Sequence, residues 1–504
     1  MKTNIFKLAS LLLMLMLSTS HLRAYDFMVD GIAYNVNSDG ESVSVTYTTL
    51  SMDNYSGLTN ADIPSTVSHD GTDYAVTAIG NNAFVNCRDL ISATIPNSII
   101  TIGDCACGWS TSLTSVTIGN SVKSIGSNAF YDCRSLISVT IPGSTVEIGG
   151  EIFGRCSGLE SMVVESENPK YDSRDNCNAI IETATNTLIA GCKNTSIPNT
   201  VTAIGSYAFY CCSDLTNITI PNSVISIGGG AFSGTQWYLN QPNGLVYAGL
   251  VVYAYKGVMP DGTSITLKDD TKGVAEGCFH GHWGLISITI PSSVLVIGDG
   301  AFTNCKGLES VVVEIGNNTY DSRDNCNAII ETATNTLIAG CKNTSIPNSI
   351  TSIGERAFYN CSGLEKVSIP KSVIKIGEQA FYYCTGLTRI DSYPNPSDVT
   401  LGAVVFDGVP TSTCELHVLS QYFDAYSNAD QWKDFINIID DLDGPVSAGD
   451  VNGDGRVNVS DVTTLVNMIL GVVEKDEQVA DINGDGRVNV SDVTALINII
   501  LGVI

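Results

Sequence analysis

A 23-residue period constrains this chain more than any other feature. From Ile95 to Ile118, Ile141 and Val164 the pattern L-x-x-V-x-I-P-N-S-V-x-x-I-G-x-x-A-F-x-x-C-x-x-L returns every 23 residues. It resumes at Ile197 to Ile220, at Leu267 to Ile290 to Val313, and at Ile346 to Ile369. A unit this short encloses no core of its own, so successive copies must stack and bury their apolar sides against one another, as in a repeat solenoid. Segments such as Leu113 to Ile118, Leu136 to Ile141 and Leu285 to Ile290 alternate apolar and polar residues, the pattern of a half-buried strand. Gly103, Gly126, Gly149, Gly205 and Gly354 mark a recurring turn. The expected fold is a β-rich solenoid over residues 61–392.

Three insertions break the period, near residues 165–196, 235–266 and 314–345. The first and last share the same 29 residues, Tyr171 to Asn199 and Tyr320 to Asn348. Their Ala179 to Thr183 and Thr187 to Gly191 stretches read as hairpin arms, which sets Cys177 opposite Cys192 and Cys326 opposite Cys341 as candidate disulfides. Residues 25–60 read as an N-terminal β cap and 393–441 as a C-terminal cap with Tyr422, Phe423, Tyr426, Trp432 and Phe435 on its apolar side. Residues 1–24 combine Lys2 and Lys7, an apolar run and Ala24 as a cleavage residue, which reads as a secretory signal.

After a linker at 442–446, residues 447–504 carry the chain's sharpest chemical motif. DVNGDGRVNVSD begins at Asp450 and DINGDGRVNVSD at Asp481, each followed by one apolar helix. A hard cation such as calcium takes six to eight oxygen ligands from a tightly wound loop, with oxygen side chains at positions 1, 3, 5, 9 and 12 and glycine at 6. The first loop offers Asp450, Asn452, Asp454, the Arg456 carbonyl, Asn458 and Asp461; the second offers Asp481, Asn483, Asp485, the Arg487 carbonyl, Asn489 and Asp492. Gly444, Pro445 and Gly449 oppose an entering helix, so each unit is half of a helix–loop–helix. The exit helices carry Val462, Leu465, Val466, Ile469 and Leu470, and Val493, Leu496, Ile497, Ile500 and Leu501, expected to bury against each other.

This tandem loop–helix pair closely resembles a type I dockerin, a small all-α calcium-binding domain. The resemblance implies two calcium ions and a cohesin-bearing partner, contacted through loop positions 10 and 11, here Val459 with Ser460 and Val490 with Ser491. The two copies agree at 19 of 23 aligned positions, so either can present the same face. The solenoid resembles the BspA-type leucine-rich repeats of bacterial surface proteins, which implies adhesion to a protein or glycan target. Together the resemblances imply a secreted or cell-surface-associated binding protein without catalytic activity. The alternative is a component of an extracellular polysaccharide-degrading assembly, serving polysaccharide catabolism without being the hydrolase.

A formal charge of −27 opposes nucleic acid and anionic membrane as partners, and no later apolar run is long enough for a transmembrane anchor. Of sixteen cysteines, Cys87, Cys133, Cys156, Cys212, Cys305, Cys361 and Cys384 share one repeat position, which reads as a core column of thiols. Tyr131, Tyr210, Tyr359, Tyr382 and Tyr383 recur just after the repeat phenylalanine and are the candidate partner-contacting residues of the solenoid. No nucleophile elbow, phosphate loop or zinc-protease motif is present, so no catalytic residues are assigned.

Overall fold

The computed structural model describes residues 24–51, 54–442, 449, 451–452, 457–472 and 480–501. The expected signal segment and the linker after Leu442 lie outside the described residues. The chain divides into two compact units. The first comprises Met1–Gly257, Lys272–Cys278 and Val296–Asp299; the second comprises Val258–Thr271, Phe279–Leu295 and Gly300–Ile504.

In the first unit the coils up to Val164 feed two parallel ladders. Asn60–Asp62, Ser92–Thr94, Ser115–Thr117, Ser138–Ile141 and Ser161–Val164 form one ladder. Thr72–Ile79, Thr101–Ile102, Ser124–Ile125 and Glu147–Ile148 form the other. The register steps one period per coil: Ser115 pairs with Ser138, which pairs with Ser161. The third side is a turn in which alternate amides donate to the next coil: Asn82 N to Asp104 O at 2.9 Å, Phe84 N to Ala106 O at 2.6 Å and Asn86 N to Gly108 O at 2.8 Å. Positive φ at Asn82 and Asn86, 61° and 59°, aims these groups along the solenoid axis. At the recurring glycine the coils approach so closely that a Cβ on Gly126 would stand 2.5 Å from Asp104 N.

The core repeats with the coil. Phenylalanines stack through it, Phe130 on Phe153 at 5.6 Å and Phe209 on Phe232 at 5.2 Å. At the N-terminal end Phe27–Val29, Ile32–Val36 and Ser42–Thr46 form an antiparallel meander whose last strand pairs in parallel with Thr72–Ile79. Buried Asn54 fastens it, donating to Ala83 O and Val85 O at 3.2 and 2.8 Å.

The insertions are built into the coils. Ala179–Glu182 and Thr187–Gly191 form an antiparallel hairpin, and its second arm pairs in parallel with Ala203–Ile204, which pairs with Ser226–Ile227. Gly244–Ala248 and Val251–Lys256 repeat the device, with the second arm pairing Gly273–Val274.

The second unit uses the same grammar. Thr263–Thr266, Leu285–Ile290 and Ser310–Val313 form one parallel ladder, and Lys366–Ile369, Arg389–Ser392, Glu415–Leu419 and Asn437–Leu442 another. The duplicated hairpin, Ile329–Glu331 with Thr336–Ala339, leads into Ser352–Ile353, Lys375–Ile376 and Thr400–Leu401. Phe358, Phe381 and Phe406 stack at 5.0 and 5.7 Å, and Trp432, Tyr426 and Phe435 close the apolar end.

All sixteen cysteines are free thiols, so the candidate Cys177–Cys192 and Cys326–Cys341 bridges are not formed. The hairpin register explains why: Ala179 faces Gly191, and Cys192 instead turns its Sγ to Asn178 O at 3.4 Å. The repeat-position column does more than fill space. Cys156 Sγ donates to Phe130 O at 2.9 Å, Cys305 to Phe279 O at 3.0 Å and Cys384 to Phe358 O at 3.0 Å. Ser110, in the same slot, donates to Phe84 O at 2.8 Å. Burial pushes the Cys107, Cys212, Cys305 and Cys361 thiols up to about 12, so they stay protonated.

Candidate calcium loops and partner surfaces

The second loop is described throughout, from Asp481 to Asp492. Its side chains turn inward onto its own backbone: Asp485 N donates to Asp481 Oδ1 at 3.0 Å and to Asn483 Oδ1 at 2.9 Å, and Gly486 N to Asp481 Oδ2 at 2.8 Å. Arg487 N donates to Asp485 Oδ1 at 3.0 Å. Gly484 and Gly486, at φ 71° and 79°, take the left-handed corners of this winding. In the first loop Asn452, Asn458 and Asp461 are described, while Asp450, Asp454 and Arg456 lie outside the described residues.

Position 12 explains why aspartate stands there. Asp461 and Asp492 are fully buried, and each closes a capping box at the start of its helix, Val459–Ile469 or Val490–Ile500. Asn458 N donates to Asp461 Oδ2 and Asn489 N to Asp492 Oδ2, both at 2.8 Å, while Asn452 N and Asn483 N reach the other oxygens at 3.1 and 3.2 Å. The short arm holds the carboxylate against the helix N-terminus and inside the loop at once. Neither buried carboxylate has an ion-pair partner among the described residues, an arrangement that fits a divalent cation.

The helix stripes differ from expectation. Leu465, Met468 and Leu496 form the small core with Val451 and Ala480, and Val462, Ile469, Val493 and Ile500 pack partly against it. Leu470 and Leu501 are 70% and 68% exposed, and Val466 and Ile497 are also exposed. Residues 465 and 468 share the face that carries Asp461, whereas 466 and 470 fall roughly 140–180° around the helix from it. At loop position 10, Val459 and Val490 are exposed; at position 11, Ser460 and Ser491 accept from Asn452 Nδ2 and Asn483 Nδ2 at 2.7 and 2.8 Å. Each copy thus presents an exposed valine beside a serine already engaged by its loop.

The solenoid tyrosines gather into clusters. In the first unit Tyr131 stacks with Tyr210 at 6.4 Å, across a coil whose Gly154 makes room, since a Cβ there would lie 2.9 Å from the Tyr131 ring. Trp109 packs on Tyr131 at 5.1 Å and Tyr207 on Tyr210 at 5.4 Å. Both were missed from sequence because neither occupies the slot after the repeat phenylalanine. In the second unit Tyr359 stacks on Tyr382 at 5.1 Å, and Tyr382 meets Tyr383 at 4.7 Å. Asp132, nearly buried, is gripped by Arg134 at 2.8 Å and Arg155 at 3.1 Å beside the first cluster.

His417 is buried between two carboxylates, Nδ1 to Asp441 Oδ1 at 2.6 Å and Nε2 to Glu415 Oε2 at 3.2 Å. The His417 hydrogen bond holds the Asp441 carboxyl below its ordinary range. The next strand carries Asp391, held by Arg389 at 2.6 Å and Lys366 at 2.9 Å. The Lys366–Asp391 and His417–Asp441 pairs tie neighbouring strands of one ladder together.

The model of the BspA type leucine-rich repeat region matches residues 77–187, 181–243, 252–338 and 337–409. The chain belongs to the BspA-type leucine-rich repeat family. The model of the dockerin type I domain matches residues 448–501, so this BspA-type protein carries a type I dockerin behind its repeats. Type I dockerin domains bind calcium, and neither matched family is catalytic. Among solved structures the chain is similar to a leucine-rich repeat protein from Bacteroides ovatus, with 23% identity over 81% of this chain and 98% of that one and a TM-score of 0.34. It is also similar to a leucine-rich cell surface protein from Faecalibacterium prausnitzii, with 25% identity over 74% and 96% and a TM-score of 0.31. No curated protein matches it. No helix among the described residues is long and apolar enough to cross a membrane.

Proposed function

We propose that this protein is a secreted, non-catalytic binding subunit whose BspA-type repeats hold a target while its calcium-loaded dockerin docks onto a cohesin-bearing partner. The observation that carries the docking half is the paired arrangement at the loop–helix junctions: a buried position-12 aspartate, Asp461 or Asp492, beneath an exposed valine, Val459 or Val490. Asp450, Asn452, Asp454, the Arg456 carbonyl, Asn458 and Asp461 would hold one calcium ion, and Asp481, Asn483, Asp485, the Arg487 carbonyl, Asn489 and Asp492 the other. Calcium would neutralise the carboxylates and brace the first helical turn, so Val459, Ser460, Val490 and Ser491 meet the partner from a rigid frame. The target-binding half rests on the aromatic clusters of Tyr131, Tyr210, Tyr359, Tyr382 and Tyr383, which pair large contact area with polar tips.

The test is surface-plasmon binding of the full chain to a panel of immobilised type I cohesins, with calcium and with EGTA. Calcium-dependent capture that survives Val459→Asp or Val490→Asp alone and is abolished by the double variant supports docking through either copy. Failure of every cohesin to capture the calcium-loaded wild-type chain refutes it.

A further inference from the structure

The first ladder of the first unit stops at Ser161–Val164, although the sequence does not. Residues Leu215 to Ile220, LTNITI, repeat the alternation of Leu113 to Ile118, LTSVTI, which contains the paired strand Ser115–Thr117. Yet Thr216 to Ile220 joins no ladder. Among the described residues, no backbone N–H or C=O of Thr216, Asn217, Ile218, Thr219 or Ile220 finds a hydrogen-bond partner. In the preceding coil Ser196 N donates instead to Cys177 O at the base of the hairpin, at 3.0 Å. Between the two coils lies an open groove of about 530 Å³, with Ser196, Ile197 and Asn199 on one wall, Asn217 and Thr219 on the other, and Trp237 at one side. The second unit holds the same hairpin, and there the strand of the next coil, Lys366–Ile369, pairs with the coil that follows it, Arg389–Ser392.

We infer that this groove takes an extended peptide segment of a partner protein as an added β-strand along Thr216 to Ile220. A line of unspent main-chain donors and acceptors on a strand-forming sequence is matched by another polypeptide backbone, whose own groups repeat at the same spacing. Trp237 and Ile197 supply apolar contact for alternate side chains, while Thr219 and Asn217 leave the rim polar. The inference rests on the repeats being the target-binding half and is independent of cohesin docking, which is read out at Val459 and Val490.

The probe is a fluorescein-labelled peptide of this chain's own paired strand, Leu136 to Pro142, added to the full-length protein. Anisotropy reports binding, and hydrogen exchange reports the backbone. Binding should slow exchange of alternate amides between Thr216 and Ile220 at least about tenfold, ~1.4 kcal/mol of protection. The same peptide N-methylated at alternate residues should lose at least about tenfold in affinity, as should Ile218→Pro, whereas Thr117→Val, in the already paired strand Ser115–Thr117, should bind as wild type. The methylated peptide leaves the protein unaltered, so its result is independent of any folding defect in the proline variant. No binding, equal binding of the methylated peptide, or protection of these amides by a soluble β-glucan but not by the peptide would each overturn the inference.

Discussion

Raising the pH from 8 to 10 should lower the melting temperature of this solenoid through its buried thiols. In the first unit Cys212 of the column and Cys107, which stands in the phenylalanine slot of its coil, and in the second Cys305 and Cys361, are pushed by burial from the ordinary 9.0 to about 12. Below pH 9 each thiol is protonated whether the chain is folded or not; between 9 and about 12 only the unfolded chain releases the proton, so stability falls as pH rises. Each thiol should cost about 1 kcal/mol between pH 9 and 10 and ~1.4 kcal/mol per further unit. From pH 8 to 10 two such thiols per unit give about 3 kcal/mol, a fall of roughly 6–12 °C in Tm, and Cys87, Cys133 and Cys384, also raised by burial, add to it. Calorimetry in phosphine reductant, kept at or below pH 10 to limit tyrosine ionisation, reads the effect. Cys305→Ser is the internal control: serine still donates to the Phe279 carbonyl, as Ser110 does to Phe84, but does not titrate. It should recover about 1 kcal/mol of the second unit's alkaline loss. A Tm flat to within about 1 °C from pH 8 to 10 would refute the buried, protonated column.

Gly126→Ala forces a Cβ to 2.5 Å from Asp104 N, whereas Gly150→Ala meets nothing within 4 Å. The first should cost ~2 kcal/mol or more and the second under about 0.5 kcal/mol, read from urea midpoints. Asn54→Ala strips donors from the Ala83 and Val85 carbonyls in a buried site and should destabilise the N-terminal end by ~2–3 kcal/mol, seen as faster hydrogen exchange in Phe27–Val36. Maleimide under native conditions should label the half-exposed Cys105 and Cys211 ahead of the buried column, and a disulfide-linked column would leave no thiol to label after unfolding.

Much of this was legible in sequence because repetition multiplies weak signals. One coil of LTSVTI is ambiguous; many coils at one spacing leave only stacked strands, and the glycine and phenylalanine positions followed. The dockerin was legible for a different reason, since its loop motif fixes residue type position by position. What escaped depends on neighbours in space. Nothing local distinguishes Leu470, exposed, from Leu465, buried, on a helix apolar on several sides. The thiol column read as packing, and its bond to the preceding phenylalanine carbonyl emerged only from coil-to-coil geometry. Tyr131 meets Tyr210 because Gly154 leaves room for a ring two coils away, and Trp109 and Tyr207 extend that cluster from a neighbouring coil and from Tyr210's own turn. The unpaired strand at Thr216 to Ile220 was invisible by the same logic, since its sequence is that of a paired one.

Calcium titration of the full-length protein tests the central claim most directly. Calorimetry on the wild type should give two equivalents, each Asp→Ala change at position 12, Asp461 or Asp492, should remove one, and the double variant should bind none while the repeat ladders stay folded by circular dichroism. Absence of calcium binding by the wild-type chain, or full binding by the double variant, would contradict it.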